Sequence, residues 1–439
     1  MAKLFSTLSR RDFVKGSAGL AAGLALPAFF PGKVRAAPTD QPNIIMILAD
    51  DLGYECLSCY GSASGHTPAL DKLAASGVRF TACHAQPLCT PSRVELMTGQ
   101  YNHRNYTKFG ELDSKEKTFG NLFHDAGYAT GIVGKWQLDG DLNQPQHFGF
   151  DDYCLWSIKG VGNRYWQPVF YENGKLMETI ADKYGPDVQG DWALDFIARK
   201  RSKPFFLYYP MLLPHFPIVA TPDSQGEKGE HKTGKYFWDM VAYMDKLVGQ
   251  LVKRLEELKL LDNTLILFTG DNGTFNATTK MKDGTKIQGG KNTITDAGTH
   301  VPLLAFWGGK SAKGAVCNDL VDFSDFLPTL AEAARVPLPK DRSLDGRSFL
   351  PQIFGQKGNP RDWTFCWFEN QQKRGGYFAR DKRWKLCDDG RMFDLEKDIL
   401  ELHPLAPDSL SGEAAAAQKK LSAVFQSLKP RSVARKPKE

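Results

Sequence analysis

Residues Asn43 to Asp51 read NIIMILADD, and no other stretch limits the possible folds so sharply. An apolar run of strand length that stops on two carboxylates is how a strand buried on both faces of a parallel sheet brings side chains to the sheet's rim. The chain then keeps a strand-and-helix rhythm. TPALDKLAASGVRF predicts a helix capped from Thr67 and a short strand, KTFGNLFHDAGYATGIVGKW a helix and a strand, and KPFFLYYPM a strand. YFWDMVAYMDKLVGQLVKRLEELKLLD predicts a long amphipathic helix, and NTLILFTGDNG and VPLLAFWGG two more strands. Alternation of this kind implies an α/β fold, with a large, mainly parallel sheet sandwiched by helices. From about Pro351 the pattern changes to short strand-like pieces, WTFCWFEN, GGYFARDKRWKLC and RMFDLEKD, followed by the Ala-rich EAAAAQKKLSAVFQSL. These predict a small C-terminal antiparallel sheet plus a helix that packs against the main sheet.

The 439 residues are enough for one large domain with a satellite, or for two domains. The expected division is an export signal over residues 1–36, an α/β domain carrying the chemistry over 37–350, and a small α+β subdomain over 351–439. The signal is read from LSRRDFVKGSAGLAAGLALPAFFPGKVRAAP: Ser9, Arg10, Arg11, Phe13 and Lys15 precede a mild Gly/Ala/Leu stretch, with Val34-Arg35-Ala36 as the cleavage site. This predicts export through the twin-arginine translocase to the periplasm or the exterior. Apart from that stretch no apolar run is long enough to span a bilayer, so no stable membrane span is expected after processing. Loss of the segment removes six basic residues and one acid, taking the formal net charge from +6 to about +1. No nucleic-acid partner is therefore expected, and the basic tail KPRSVARKPKE reads as solvated. Eight cysteines in so long a chain need not form a disulfide framework; Cys56 and Cys59, a lone C-x-x-C, read as buried or half-buried thiols.

Open α/β sheets collect ligands at the carboxyl ends of their strands. There this chain places Asp50 and Asp51, Lys135, His215, and the pair Asp271 and Asn272. Four oxygen-bearing side chains without an accompanying Cys/His cluster suit a hard cation, and their number favours calcium. Cys89, in QPLCTPSRVELMTGQ, stands directly before a Thr-Pro turn that opens a helix. Its thiol could be a buried filler, a nucleophile, or the precursor of another group.

CTPSR followed by MTGQY closely resembles the signature of the formylglycine-dependent (type I) sulfatases of the alkaline phosphatase superfamily. NIIMILADD, GKW, HFGFD, PH, DNG, GGK, VP and DGRSFLP occur in that family's order. The resemblance implies an alkaline-phosphatase-like fold, one Ca2+ per chain, and oxidation of Cys89 to formylglycine by a sulfatase-maturing enzyme. A hydrated aldehyde carries two hydroxyls on one carbon, so one can attack sulfur and the other can expel sulfate. On the family's pattern Asp50, Asp51, Asp271, Asn272 and residue 89 would hold the metal. Arg93 would steady the hydrate, Lys135 and Lys291 would neutralise sulfate oxygens, and His215 would protonate the leaving alcohol.

Two positions depart from the family. Gln137, in GKWQL, stands where many relatives carry a histidine that draws the proton during sulfate release; an amide cannot act as a base and is expected to hydrogen-bond sulfate. His300, in DAGTHVP, stands where relatives often carry Arg, and reads as a strand-start filler before a substrate contact. The expected activity is hydrolysis of a sulfate ester, from a small molecule or an oligosaccharide. The loop LWSIKGVGNRYWQP supplies Trp156, Lys159, Arg164, Tyr165 and Trp166, suited to sugar rings and anions, and reads equally as a lid with aromatic packing. Two alternatives stay open: a formylglycine-dependent phosphonate or phosphate ester hydrolase, and a non-catalytic relative that binds sulfated glycans.

Overall fold

The central strand forms because its residues satisfy two cores at once. In β1 (Asn43–Ala49) Ile44, Met46 and Leu48 face one apolar cluster, while Ile45, Ile47 and Ala49 face another. The period-2 pattern is thus apolar on both sides, which suits only a strand whose two faces are covered. The computed structural model describes residues 41–433 except 139, 161, 178–182, 226–235, 370–374, 407 and 409; the expected export signal lies outside them.

In chain order the other strands are β2 (Val78–His84), β3 (Ala129–Lys135), β4 (Asp152–Trp156), β5 (Tyr171–Glu172), β6 (Lys175–Leu176), β7 (Phe205–Pro210) and β8 (Thr264–Gly270). There follow β9 (Thr278–Lys280), β10 (Lys286–Gln288), β11 (His300–Trp307), β12 (Ala315–Asp322), β13 (Thr364–Glu369), β14 (Gly375–Arg380), β15 (Trp384–Cys387) and β16 (Met392–Asp394). Ten strands form the main sheet in the order β12-β2-β11-β8-β1-β7-β3-β4-β5-β6. Its middle run, β8-β1-β7-β3-β4, is wholly parallel, and the antiparallel pairings lie on either side of it. β9 and β10 form a separate ribbon. Glycine allows the close approaches at the carboxyl ends: a Cβ on Gly134 would lie 1.8 Å from the Pro210 carbonyl oxygen, and one on Gly270 2.0 Å from that of Leu52.

The long helix Phe237–Glu257 buries Met240, Val241, Met244, Leu247, Val248, Leu251 and Leu255, the apolar stripe its sequence shows. The helix Pro68–Ser76 is not capped by Thr67 as expected. The Thr67 hydroxyl instead accepts the Ser58 N–H at 3.0 Å, and the helix's free N–H groups at Ala69 and Leu70 donate to the Asp245 carboxylate of the long helix at 2.9 and 2.8 Å.

The C-terminal strands form a four-stranded antiparallel sheet, β13-β14-β15-β16, with the helix Gly412–Leu428 against β14 and β15. One face of it joins the main core through Phe365, Trp367 and Ala379; the other buries Cys366, Phe368 and Phe378 against Leu88 and Ile294. The described part of the basic tail is largely exposed, as expected, but Arg431 docks on Trp367. The Trp367 indole donates to the Arg431 carbonyl at 2.8 Å, and the Arg431 guanidinium lies 4.3 Å over the same ring.

Candidate active site

Four adjacent parallel strands, β8, β1, β7 and β3, end side by side and deliver the expected polar residues to one rim. Asp50 and Asp51 directly follow β1, Lys135 ends β3, His215 lies five residues past β7, and Asp271 and Asn272 directly follow β8. Main-chain bonds knit the ends together: Asp50 N–H donates to the Leu213 carbonyl at 3.0 Å and Asp271 N–H to that of Ala49 at 2.9 Å. Asp51 adopts a left-handed φ of 66° and donates its N–H to Asp271 Oδ1 at 3.0 Å. Cys89 is the first residue of the helix Cys89–Thr98, every residue of which is buried. The Ser92 hydroxyl donates to the Gln86 carbonyl at 3.0 Å and accepts the Gln86 N–H at 3.1 Å, tying the helix start to the preceding turn. Arg93, one turn on, donates to Asp271 Oδ2 at 2.9 Å and to the Lys135 carbonyl at 3.1 Å.

Cations cover the carboxylates. Lys135 Nζ donates to both oxygens of Asp50 at 2.7 and 2.8 Å, and Lys291 Nζ to Asp51 Oδ2 at 2.6 Å. Burial alone would raise the Asp50 and Asp51 carboxyls; His215 and the neighbouring lysines, with Arg93 at Asp50, hold both below the ordinary range. Asp271 is instead pushed up to about 7 by burial and by Asp50, against the pull of Arg93. Burial holds His215 down at about 4, against the opposing influence of Asp50 and Asp51. Its Nε2 lies 3.1 Å from Lys291 Nζ and 3.5 Å from Asp51 Oδ2. The Cys89 thiol is pushed up by burial although Lys135 and Lys291 pull it down. A thiolate nucleophile is therefore disfavoured at this position.

The donor set fits a hard cation. Asp50, Asp51 and His215 each offer a ligand atom within 4.8 Å of one another, whereas the expected ligands Asp271 and Cys89 stand outside that close group. Asn272 is fully buried and its Nδ2 donates to Asp51 Oδ1 at 2.8 Å and to the Gly273 carbonyl at 2.9 Å, leaving Oδ1 without a partner. An orphaned amide oxygen beside two carboxylates is what calcium takes as a ligand.

Gln137 follows the lysine strand with a left-handed φ of 53°, and its buried Oε1 also has no partner. In the aromatic loop, Trp156 and Tyr165 follow the packing reading. Trp156 and Tyr165 are buried, the Trp156 indole donates to the Gly162 carbonyl at 2.8 Å, and the Tyr165 hydroxyl bonds the Leu212 and His215 carbonyls at 2.8 and 2.5 Å. The Tyr165 ring thereby braces the main chain at His215, and both rings are spent on packing; Lys159 is exposed. Arg164, expected on that sugar-binding loop, reaches the centre itself. Its guanidinium lies 3.8 Å over Trp156, Nη1 is 2.9 Å from His215 Nδ1, and 3.8 Å separates it from Asp50 Oδ2. The clue in the sequence was an arginine between two tryptophans after a strand end, with nothing to show which way it turned. His300 is taken up by structure: Nδ1 pairs with Asp296 Oδ2 at 3.0 Å, Nε2 with the Thr81 carbonyl at 2.9 Å, and its ring stacks on Tyr54 at 4.0 Å. Cys56 is buried with Sγ 3.2 Å from the Thr274 hydroxyl, Cys59 is half-buried, and both are free thiols.

This fold and this rim of carboxylates, lysines and a helix-start cysteine agree with what comparison finds. Residues 42–336 match the Sulfatase family model, and residues 290–431 match that of the N-sulphoglucosamine sulphohydrolase C-terminal region. The chain is 33% identical over 405 residues to human arylsulfatase A, covering 82% of this chain and 75% of that protein. It is 32% identical over 356 residues to N-acetylgalactosamine-6-sulfatase of the dog, covering 73% of this chain and 67% of that protein. The crystal structure of Ps i-CgsB superimposes with a TM-score of 0.75 at 27% identity, over 89% of this chain and 92% of that one. The chain belongs to the sulfatase family of the alkaline phosphatase superfamily, and its activity is that of a sulfuric ester hydrolase. Residues 7–27 match the twin-arginine signal model, which supports export to the periplasm or beyond. Among the described residues no helix is long and apolar enough to cross a membrane.

Proposed function

We propose that the enzyme removes sulfate from a sulfated carbohydrate, using formylglycine made from Cys89 by a maturing enzyme and one calcium ion held by Asp50, Asp51, Asp271, Asn272 and residue 89. The observation that carries this reading is the placement of Cys89: buried at a helix start, in the field of Lys135 and Lys291 and of the carboxylates Asp271 and Asp50. Formylglycine would supply a hydrated aldehyde as nucleophile, and calcium would draw charge from a sulfate oxygen. The chain's own residues do the rest. Lys135 and Lys291 supply cations for the sulfate oxygens, and the helix start at residue 89 favours an anion there. Arg93, fixed by Asp271, steadies residue 89 from one turn away. His215 protonates the departing alcohol oxygen from Nε2 and regains its proton from solvent, while Lys291, which burial would discharge but Asp51 holds charged, stays a cation for the sulfate oxygens. Gln137 donates its amide N–H to sulfate and takes no proton. A carbohydrate substrate is favoured because relatives such as N-acetylgalactosamine-6-sulfatase are named for a sugar sulfate.

The test is sulfate release from a panel of sulfated saccharides by the purified exported protein, alongside aryl sulfate and phosphonate ester model compounds. Release from at least one saccharide, abolished in Cys89→Ala, is expected. Faster turnover of the phosphonate ester would point to the phosphonate hydrolase reading. Binding without release by protein that carries formylglycine would point to a non-catalytic glycan-binding one.

A further inference from the structure

Lys291 sits on a loop between β10 and the short helix Asp296–Thr299, and a buried ion pair from the C-terminal subdomain grips that loop. Lys385 of β15 and Glu401 are 1% and 4% exposed at their side chains and meet at 2.7 and 2.8 Å. Each has a further bond to the loop's main chain. Lys385 Nζ donates to the Ile294 carbonyl, and Glu401 Oε1 accepts the Asp296 N–H at 2.6 Å. Arg380 of β14 adds a bond from Nη1 to Asp296 Oδ1 at 2.5 Å. On its other side the loop is held by the floor of the site, where Asn292 N–H donates to the Pro87 carbonyl at 2.8 Å and Lys291 N–H to that of Thr274 at 3.2 Å. Leu88 and Ile294 pack together against the outer face of the C-terminal sheet, so the loop carrying Lys291 and the turn carrying Cys89 share one support.

We propose that Lys385, with Glu401, is a positioning residue that sets Lys291 for sulfate. This rests on the catalytic reading of Lys291 given above. A buried ion pair is a poor source of stability, because desolvation offsets most of its attraction, and apolar replacements are often neutral. The geometry of this pair suits it to hold the loop in place, since its remaining hydrogen-bonding capacity goes to main-chain groups three and five residues beyond Lys291. Lys291 Nζ must meet a sulfate oxygen from a fixed place beside Asp51, and a shift of about 1 Å in such a group costs about a hundredfold in rate. The C-terminal sheet thereby acts on the site through the loop that carries Lys291.

Two measurements on the full-length, matured protein test this. Hydrogen–deuterium exchange over residues 290–296 should accelerate at least tenfold in Lys385→Met and in the double variant Lys385→Met/Glu401→Leu, which removes both charges and keeps the fold if the single variant does not. Unchanged protection in the double variant would overturn the proposal whatever the enzyme's activity. Turnover of 4-nitrophenyl sulfate then separates positioning from general support. The double variant should lose ten- to a hundredfold in kcat/KM, yet cause no further loss when added to Lys291→Ala, because it acts through Lys291. Additive losses would overturn the proposal. Full activity in Lys291→Ala would count against the catalytic reading of Lys291, leaving the exchange result to judge the grip on the loop.

Discussion

His215 carries two demands that the residues around it pull apart. As the group that protonates a leaving alcohol it needs a proton on Nε2, while burial keeps its ring neutral with a pKa near 4. Arg164 reconciles them: its Nη1, 2.9 Å from His215 Nδ1, donates to that nitrogen and leaves the neutral ring's one proton on Nε2. The effect of losing the ring should show where protonation matters most. His215→Ala is expected to lower kcat severely, about a hundredfold or more, for alkyl or sugar sulfates, and much less for activated aryl sulfates, whose leaving groups depart with little protonation. Equal losses on both classes, read from steady-state kinetics, would move the acid's role to another residue. Asp271 joins Arg93 to the main chain of Asp51, so Asp271→Ala should lower bound calcium and turnover together. Full metal content by elemental analysis with full activity would remove that strand end from the metal site. Arg164 shows the limit of reading single residues. Its loop could be recognised, but its contact with His215 depends on a long side chain folding back over Trp156, which no local pattern encodes.

At the scale of elements, strand ends were the most legible feature, since an apolar run that stops on a polar group fixes both a strand and the rim where it ends. Asp50, Asp51, Lys135, Asp271 and Asn272 all reach that rim for this reason. The aromatic loop was less legible because burial and display of a tryptophan use the same residue. Trp156 and Tyr165 turned inward because their polar atoms find main-chain carbonyls there. Capping failed for a third reason. Thr67 has the right type and place, but Asp245, 176 residues away from Ala69, meets the helix end first. Asp245→Ala leaves the Ala69 and Leu70 N–H groups without their carboxylate, so stability should fall by about 1–2 kcal/mol in denaturant unfolding. Turnover of folded enzyme should stay unchanged, because the Asp245 carboxylate bonds the Ala69 and Leu70 N–H groups and no proposed catalytic side chain.

For the whole molecule, the join between the main sheet and the C-terminal sheet gives a pH dependence of stability. His103 packs its ring edge-on to Phe365 of β13 at 5.6 Å, and both its nitrogens are buried without partners. Burial, and then Arg104, lower it from 6.5 to about 4. The unfolded chain therefore takes up this proton first as pH falls. The contribution to stability is complete above pH 6.5 and is lost as pH drops through 4. His103→Leu should flatten that acid limb in unfolding curves recorded across this window, and an unchanged limb would clear His103 of the effect. The account of the whole enzyme, from export to chemistry, turns on one atom of one residue, and mass spectrometry of the peptide Phe80–Arg93 from active protein reads it directly. The expected peptide has lost one sulfur and two hydrogens and gained one oxygen at residue 89, while Cys83 keeps its thiol. Active protein in which Cys89 is wholly an unmodified cysteine would contradict the account.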